Sequence, residues 1–211
     1  MSGRRPSSRA LLGAVLLAVL LGIGAGAAGH LAFGSSPARP TLALPTLHGQ
    51  AVWAEDRRPA PAFTLADQAG RTISLGDLRG RRVVLAFMDP LCKQECPLEG
   101  RALARAESQV APAQRATLLI VSVNPLARPA DAKAANRKWG IPAHWLLGSR
   151  KQLARVWDAY DISVIPTKGD IVHSTAIYVV DGRGFERAGF IAPFEPQFLA
   201  DDLRTLARGA A

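Results

Sequence analysis

The sequence predicts an α/β domain in which helices flank a central mixed sheet. Residues 81–88 and 117–125 are continuous apolar runs, typical of buried central strands, and a helical pattern lies between them. Later in the chain, residues 174–181 read as a strand that is followed by a turn, a second strand and a closing helix. Strand–helix–strand, then two antiparallel strands and a helix, is the order of a thioredoxin-like fold.

Local signals predict the other elements in order. Residues 63–80 read as a strand, a turn at Gly70 and a second strand. A helix is predicted from about residue 96 to residue 110, because apolar residues recur among Glu and Arg and Pro97 suits a first helical turn. Three further helices are predicted over residues 128–140, 149–162 and 195–209.

The N-terminus predicts a membrane anchor. Residues 1–9 are basic, and residues 10–38 contain no Asp, Glu, Lys or Arg. An uncharged apolar run of this length can cross a hydrocarbon layer of about 30 Å as a helix. Arginines before the run and none directly after it predict that residues 1–9 are cytoplasmic and that residues 10–33 cross the cell membrane once. The rest of the chain would then lie on the extracytoplasmic side.

A cleaved signal peptide is the competing interpretation, since Ala25-Gly26-Ala27 resembles a cleavage site and would give a secreted domain. The apolar run continues past this site to Phe33, which favours an anchor that stays uncleaved. Either way the domain is exported, to a compartment where disulfides are permitted. Residues 34–61 contain five prolines and read as a tether, and residues 62–211 as the thioredoxin-like domain.

The net charge of +9 does not indicate a nucleic-acid-binding protein. Arg4, Arg5 and Arg9 account for three of the positive charges, and they precede the predicted anchor. The other arginines are scattered, without a basic stripe interleaved with aromatic residues, so the sequence predicts no nucleic-acid partner.

Cys92 and Cys96, in "CKQECP", are the only two cysteines of the 211 residues, and they follow the first core strand. They could form a structural disulfide, a redox pair or two ligands of a metal site. On one helix their Cα atoms would lie about 6 Å apart, which suits a disulfide or a shared metal ion. A disulfide that closes so short a loop adds little stability, so redox or metal chemistry is favoured. The helix N-terminus is expected to lower the pKa of the thiols.

His173 is the candidate third ligand. It is one of four histidines, and it directly precedes the late strand that we expect beside the first core strand, opposite the cysteine turn. His30 lies at the end of the apolar run, His48 in the tether, and His144 reads as structural. Two thiolates and one imidazole suit copper or zinc.

Three motifs resemble the Sco/SenC family, thioredoxin-like copper proteins that assist the assembly of cytochrome c oxidase. "CKQECP" is similar to the family's Cys-x-x-x-Cys-Pro, and "VHS" before "AIYVVDGRG" to its His-Ser before a strand that ends in Asp-Gly. "WLLGSRKQLARVWDAY" resembles its Leu-Thr-Gly segment and the helix that follows. The resemblance covers roughly residues 60–208 and implies that Cys92, Cys96 and His173 bind one copper ion, as Cu(I), Cu(II) or both.

The resemblance implies a membrane-anchored copper chaperone. It would deliver copper to a cytochrome c oxidase subunit or another copper protein, or prepare the thiols of that site, without acting on a small substrate. The alternative is an enzyme, a thiol–disulfide oxidoreductase in which Cys92 and Cys96 reduce a partner protein. Two departures from the family stand out: Val172 replaces the usual Asp before the histidine, and Lys93-Gln94-Glu95 replaces a segment that usually contains Pro-Asp.

Overall fold

The computed structural model describes residues 47–168 and 170–208. The predicted cytoplasmic segment (residues 1–9) and membrane anchor (residues 10–33) lie outside the described residues, as does the first part of the tether. Within the described ranges, no helix combines the length and the apolar character that a membrane crossing requires.

The described residues form ten strands and four α-helices, with two short 3-10 helices at Leu75–Leu78 and Pro112–Gln114. The strands are β1 (Ala51–Val52), β2 (Thr64–Asp67), β3 (Thr72–Ser74), β4 (Val83–Met88), β5 (Thr117–Ser122), β6 (His144–Leu147), β7 (Val164–Thr167), β8 (Asp170–His173), β9 (Ala176–Val180) and β10 (Glu186–Ile191). The helices are α1 (Glu95–Ser108), α2 (Pro129–Trp139), α3 (Arg150–Ala159) and α4 (Pro196–Arg208).

Eight strands form one mixed sheet in the order β1-β10-β9-β4-β5-β6-β2-β3. β4, β5 and β6 are parallel to one another, while β9 and β2 join this core antiparallel on its two sides. Every residue of β4 and β5 is buried, because helices and loops cover both faces of the sheet. The predicted mixed sheet with flanking helices is therefore confirmed, and its two central strands are the two apolar runs of the sequence.

Side chains of β4 alternate between two hydrophobic layers. Val84, Ala86 and Met88 face the layer that contains α1, α2 and α4. The intervening residues, such as Leu85 and Phe87, face the layer that contains α3. Burial of each such large side chain contributes about 1.5–3 kcal/mol, so the sheet with its two layers stabilises the base of the loops that follow β4 and β5.

Residues 47–61, the second half of the predicted tether, pack against the domain. β1 pairs with β10, the Trp53 N–H donates to the Arg187 carbonyl at 3.0 Å, and Leu47 packs against the hydrophobic core. The domain therefore begins before residue 62. The sequence allows a short docked strand around Val52-Trp53, although a two-residue strand has almost no periodicity by which to predict it.

β7 and β8 form a separate antiparallel hairpin outside the main sheet. The sequence pattern does not predict this hairpin, whose residues precede the expected late strand. The hairpin brings the last residue of β8, His173, opposite Val164 and close to the end of the main sheet where β4 stops. It is one wall of the site described next.

Candidate metal centre

The two cysteines follow the carboxyl end of β4 but occupy different structural settings. α1 begins at Glu95, so Cys96 lies in its first turn and is buried, with 1% of its surface exposed. Cys92 lies in the preceding loop and is partly exposed. Both thiols are free. Because the helix starts only after Cys92, close to the predicted residue 96, the case in which one helix carries both thiols does not apply.

His173 is brought to the cysteine turn by the hairpin. Its Nε2 atom lies 3.8 Å from the Sγ atom of Cys96, although the residues are 77 positions apart in the sequence. Sulfur and nitrogen ligands at about 2.3 and 2.0–2.1 Å from one metal ion are themselves separated by about 3.5–3.8 Å at tetrahedral to trigonal angles. The spacing of Cys96 and His173 is thus that of two ligands of one ion.

The histidine ring is oriented by the backbone. Its Nδ1 atom lies 2.9 Å from the Ser174 carbonyl oxygen, so Nδ1–H donates there and the lone pair of Nε2 faces Cys96. The resemblance leads one to expect a carboxylate in this role. Val172 is exposed, and the Asp170 carboxylate accepts a hydrogen bond from the Ile171 N–H at 2.8 Å. A carbonyl here takes the place of the missing carboxylate.

The three predicted ligands converge without forming a ready-made cage. Cys92, Cys96 and His173 all border one cavity. Among residues 47–168 and 170–208, however, no three His, Cys, Asp or Glu side chains already have a spacing that would hold a metal ion. Binding one ion through Cys92, Cys96 and His173 therefore requires at least one of these side chains to move.

Burial dominates the electrostatics of the inner thiol. Removal from water raises the pKa of Cys96, and the neighbouring Cys92 and Glu99 raise it further, while a backbone hydrogen bond from Asp89 acts in the opposite direction. The expectation that the helix N-terminus lowers the pKa is wrong for Cys96, because desolvation outweighs the helix dipole. A raised pKa means that a bound metal ion would have to displace the proton of the Cys96 thiol.

A cavity of about 810 Å³ opens above these residues. Its walls are the cysteine loop, the loop after β5 and the β7–β8 hairpin, which contribute among others Lys93, Asn124 and Ile171. The exposed Leu126, at 82% of its surface, lies on its rim. The cavity leaves Cys92 accessible to another molecule while Cys96 stays inside.

The other histidines within the described residues belong elsewhere. His48 hydrogen-bonds through Nδ1 to Asp202 at 2.9 Å, and the Nδ1 of His144 lies 3.2 Å from the Asp67 carboxylate. Neither lines the cavity. The fourth histidine, His30, lies outside the described residues.

A model of the SCO1/SenC family matches residues 54–208. The chain belongs to the SCO1/SenC family. The match spans most of the sheet together with Cys92, Cys96 and His173. A sequence search of curated proteins found no match.

Solved structures of SCO1/SenC proteins share the fold. Arabidopsis thaliana ScoI with copper bound has a TM-score of 0.65 and 19% identity, over 71% of this chain and 98% of that one. Bradyrhizobium japonicum ScoI with copper bound has a TM-score of 0.62 and 24% identity, over 69% and 98%. Yeast Sco1 with copper bound has a TM-score of 0.61 and 19% identity, over 70% and 87%. Sco homologues have thus been solved with copper bound.

Two features of this SCO1/SenC site were not predicted from its sequence. The Ser174 carbonyl cannot be recognised in a sequence, because every residue has one. Asn124 carries a signal that could have been read, since Asn-Pro directly after a buried parallel strand places a polar side chain at the edge where ligands bind.

Proposed function

We propose that this SCO1/SenC protein is a copper chaperone. It binds one copper ion through Cys92, Cys96 and His173 and delivers the ion to a copper site of cytochrome c oxidase, or prepares the thiols of that site. Copper is the cargo, and the chain's role is to hold and release it.

One observation carries the proposal: Nε2 of His173 points its lone pair at Sγ of Cys96 from 3.8 Å. Nothing in the fold requires a histidine to face a buried thiol at the mouth of a cavity. Family membership and copper-bound relatives make copper the ion to test first. Two sulfur ligands suit Cu(I), and the added imidazole extends the set to Cu(II).

The arrangement suits release as well as capture. Cys92 is partly exposed at the cavity, so ligands of a partner can approach the ion from that side. As they replace Cys92 and then His173, the buried Cys96 is the last ligand to let go, and its high pKa favours recapture of a proton. Delivery is thus a stepwise exchange of the ligands that hold the copper ion.

The test is copper titration of the full-length chain, reduced and purified in detergent under anaerobic conditions. We expect one tightly bound Cu(I) per chain, and at least about a 100-fold weaker affinity in His173→Ala, because removing a ligand should exceed the cost of removing a residue that only orients one. His144→Ala is the matched control, since His144 does not line the cavity. Equal affinity of His173→Ala and wild type would remove His173 from the site.

A thiol–disulfide oxidoreductase is the second candidate, and the unequal exposure of the cysteines favours it. The Cys92 thiolate would attack a partner's disulfide, and Cys96 would then displace the partner, which leaves as a dithiol while Cys92 and Cys96 form a disulfide. The same experiment separates the candidates. No stoichiometric copper, together with a readily cycling disulfide that His173→Ala leaves unaffected, would favour the oxidoreductase.

We propose that residues 10–33 anchor the protein in the cell membrane with the domain on the extracytoplasmic side. The uncharged run that follows the arginines supports this. In cells, the full-length chain should stay in the membrane fraction after alkaline carbonate extraction and be degraded by protease added outside. Recovery of a shortened, soluble form would instead indicate a cleaved signal peptide and a secreted domain.

A further inference from the structure

We propose that Asp89 and Asn124 are positioning residues that hold the Cys92 loop in place for copper binding, an inference that rests on the proposed function. Asp89 directly follows β4 and is buried, with 6% of its surface exposed. Its carboxylate accepts hydrogen bonds from the Leu91 N–H at 2.9 Å and from Nδ2 of Asn124 at 3.1 and 3.2 Å. These bonds tie the loop after β4 to the loop after β5.

The Asn124 amide is itself fixed in one orientation. Its Oδ1 atom accepts from the Leu126 N–H at 3.0 Å, which leaves Nδ2 to donate to Asp89. Its backbone N–H donates to the Ser122 hydroxyl at 3.1 Å, and that hydroxyl donates to the Asn124 carbonyl at 2.9 Å. Ser122 ends β5 and is fully buried, so this network is built on the end of a fully buried central strand.

Asp89 connects this network to the turn that carries Cys92. Its carbonyl oxygen accepts from the Cys92 N–H at 3.2 Å, which closes that turn. One residue therefore fixes the position of the Cys92 turn, and the Asn124 side chain fixes the position of that residue.

This arrangement matters because Cys92 is outside the helix. Cys96 is held by α1 and His173 by the hairpin and the Ser174 carbonyl. Cys92 depends on a four-residue turn that begins at Asp89. Releasing the turn should let the Cys92 sulfur sample positions away from the other two ligands, which lowers copper affinity and alters the equilibrium between dithiol and disulfide.

An exchange of the two side chains tests the pair. In Asn124→Asp, two carboxylates face each other and the bond is lost. In the double variant Asp89→Asn with Asn124→Asp, the amide and the carboxylate trade places, so the bond between them and both backbone N–H partners can be kept. Asp89→Asn alone is the conservative variant, since its Oδ1 can still accept from Leu91 and Asn124.

The experiment measures Cu(I) affinity, the reduction potential of the Cys92–Cys96 pair and the Tm of each full-length chain in detergent. We expect about tenfold weaker copper binding in Asn124→Asp, a smaller loss in Asp89→Asn, and recovery to within about threefold of wild type in the double variant. Affinity that stays at the wild-type value in Asn124→Asp would overturn the proposal. So would a double variant as weak as Asn124→Asp, or variants that lower Tm without moving affinity or potential.

The copper chaperone proposal and the positioning proposal fail in different ways here. A wild-type chain that binds no copper would overturn the copper chaperone proposal. The reduction potential of the Cys92–Cys96 pair would then test the positioning proposal, and it should shift in Asn124→Asp and return towards the wild-type value in the double variant. If Asn124→Asp does not fold, the copper affinities of the other two variants still test the proposal. Asp89→Asn should bind copper more weakly than wild type, and the double variant should stay within about threefold of wild type.

Discussion

The His173 ring keeps its orientation although the residue before it differs from the family's usual one. The resemblance to the family leads one to expect an Asp beside the histidine, and this chain has Val172. The Ser174 carbonyl accepts the Nδ1–H hydrogen bond at 2.9 Å, so the ring still presents Nε2 to Cys96. The orientation of the ligand is thus preserved, while the negative charge that a carboxylate would add is absent.

Val172→Asp tests whether that charge matters. Neighbouring residues of a strand point to opposite faces, so an Asp at position 172 of β8 should point away from the His173 ring. We expect the Cu(I) affinity to stay within about threefold of wild type, measured by competition with a chromogenic chelator. A tenfold or greater gain would mean that the new carboxylate reaches the imidazole and that the carbonyl is a poor substitute.

The sequence nominates three candidate ligands but shows less of their local setting. Cysteine count, spacing and the position of His173 before a late strand are enough to nominate them, because these features depend on chain order alone. The predicted start of the helix near residue 96 already leaves Cys92 outside α1. That burial raises the pKa of Cys96 depends on what covers the thiol, which is a consequence of tertiary packing.

At the scale of elements, α1 carries a buried carboxyl group beside the candidate centre. Glu99 is 4% exposed, its Oε1 atom has no hydrogen-bond partner, and burial raises its pKa from 4.5 to about 8. In the folded state Glu99 therefore holds its proton at pH values where the unfolded chain has released it. Proton binding by Glu99 therefore adds to the free energy of unfolding. This addition is complete below about pH 4.5 and is lost as the pH rises through about 8.

Glu99→Gln should remove that pH dependence. At pH 7 we expect the variant to be more stable than wild type by about 3 kcal/mol, with the difference vanishing near pH 4.5, as measured by urea unfolding across this range. Glu95→Gln is the control on the same helix, because Glu95 is exposed. Parallel stability curves for wild type and Glu99→Gln would show that Glu99 ionises normally in the folded protein.

Elements that the sequence missed are short and lack periodicity. The β7–β8 hairpin has four residues in each strand, and its first strand contains Pro166, which argues against a strand. The long elements were predicted well because burial on both faces, or on one helical stripe, leaves a pattern over many residues.

At the scale of the whole molecule, the sheet order explains how distant residues meet. β4 lies between β5 and β9, so the end of β4 that leads to the cysteines adjoins the end of β5 that leads to Asn124 and the start of β9 that follows His173. Three chain segments therefore meet at the same end of the central strands. The expectation that the late strand lies beside the first core strand contains the meeting of His173 with the cysteine turn, whereas the contribution of Asn124 and the side-chain contacts required coordinates.

The N-terminal boundary of the domain is also a property of the whole molecule. Asp202 of α4 is fully buried and accepts hydrogen bonds from the backbone N–H and Nδ1 of His48 at 2.7 and 2.9 Å. Arg58 pairs with the buried Glu186 of β10. Residues 47–61 thus provide the partners of two buried carboxylates as well as a strand, and removing them would leave both charges unpaired.

A chain that starts at residue 62 should consequently be much less stable than one that starts at residue 44. Each unpaired buried carboxylate costs about 1–3 kcal/mol or more, so we expect the two together to lower the free energy of unfolding by at least about 2 kcal/mol, a substantial part of the stability of an ordinary domain. Urea unfolding of the two chains measures it, and His48→Ala in the longer chain gives the share that belongs to the His48–Asp202 pair. Coincident unfolding curves would mean that residues 47–61 act as a tether after all.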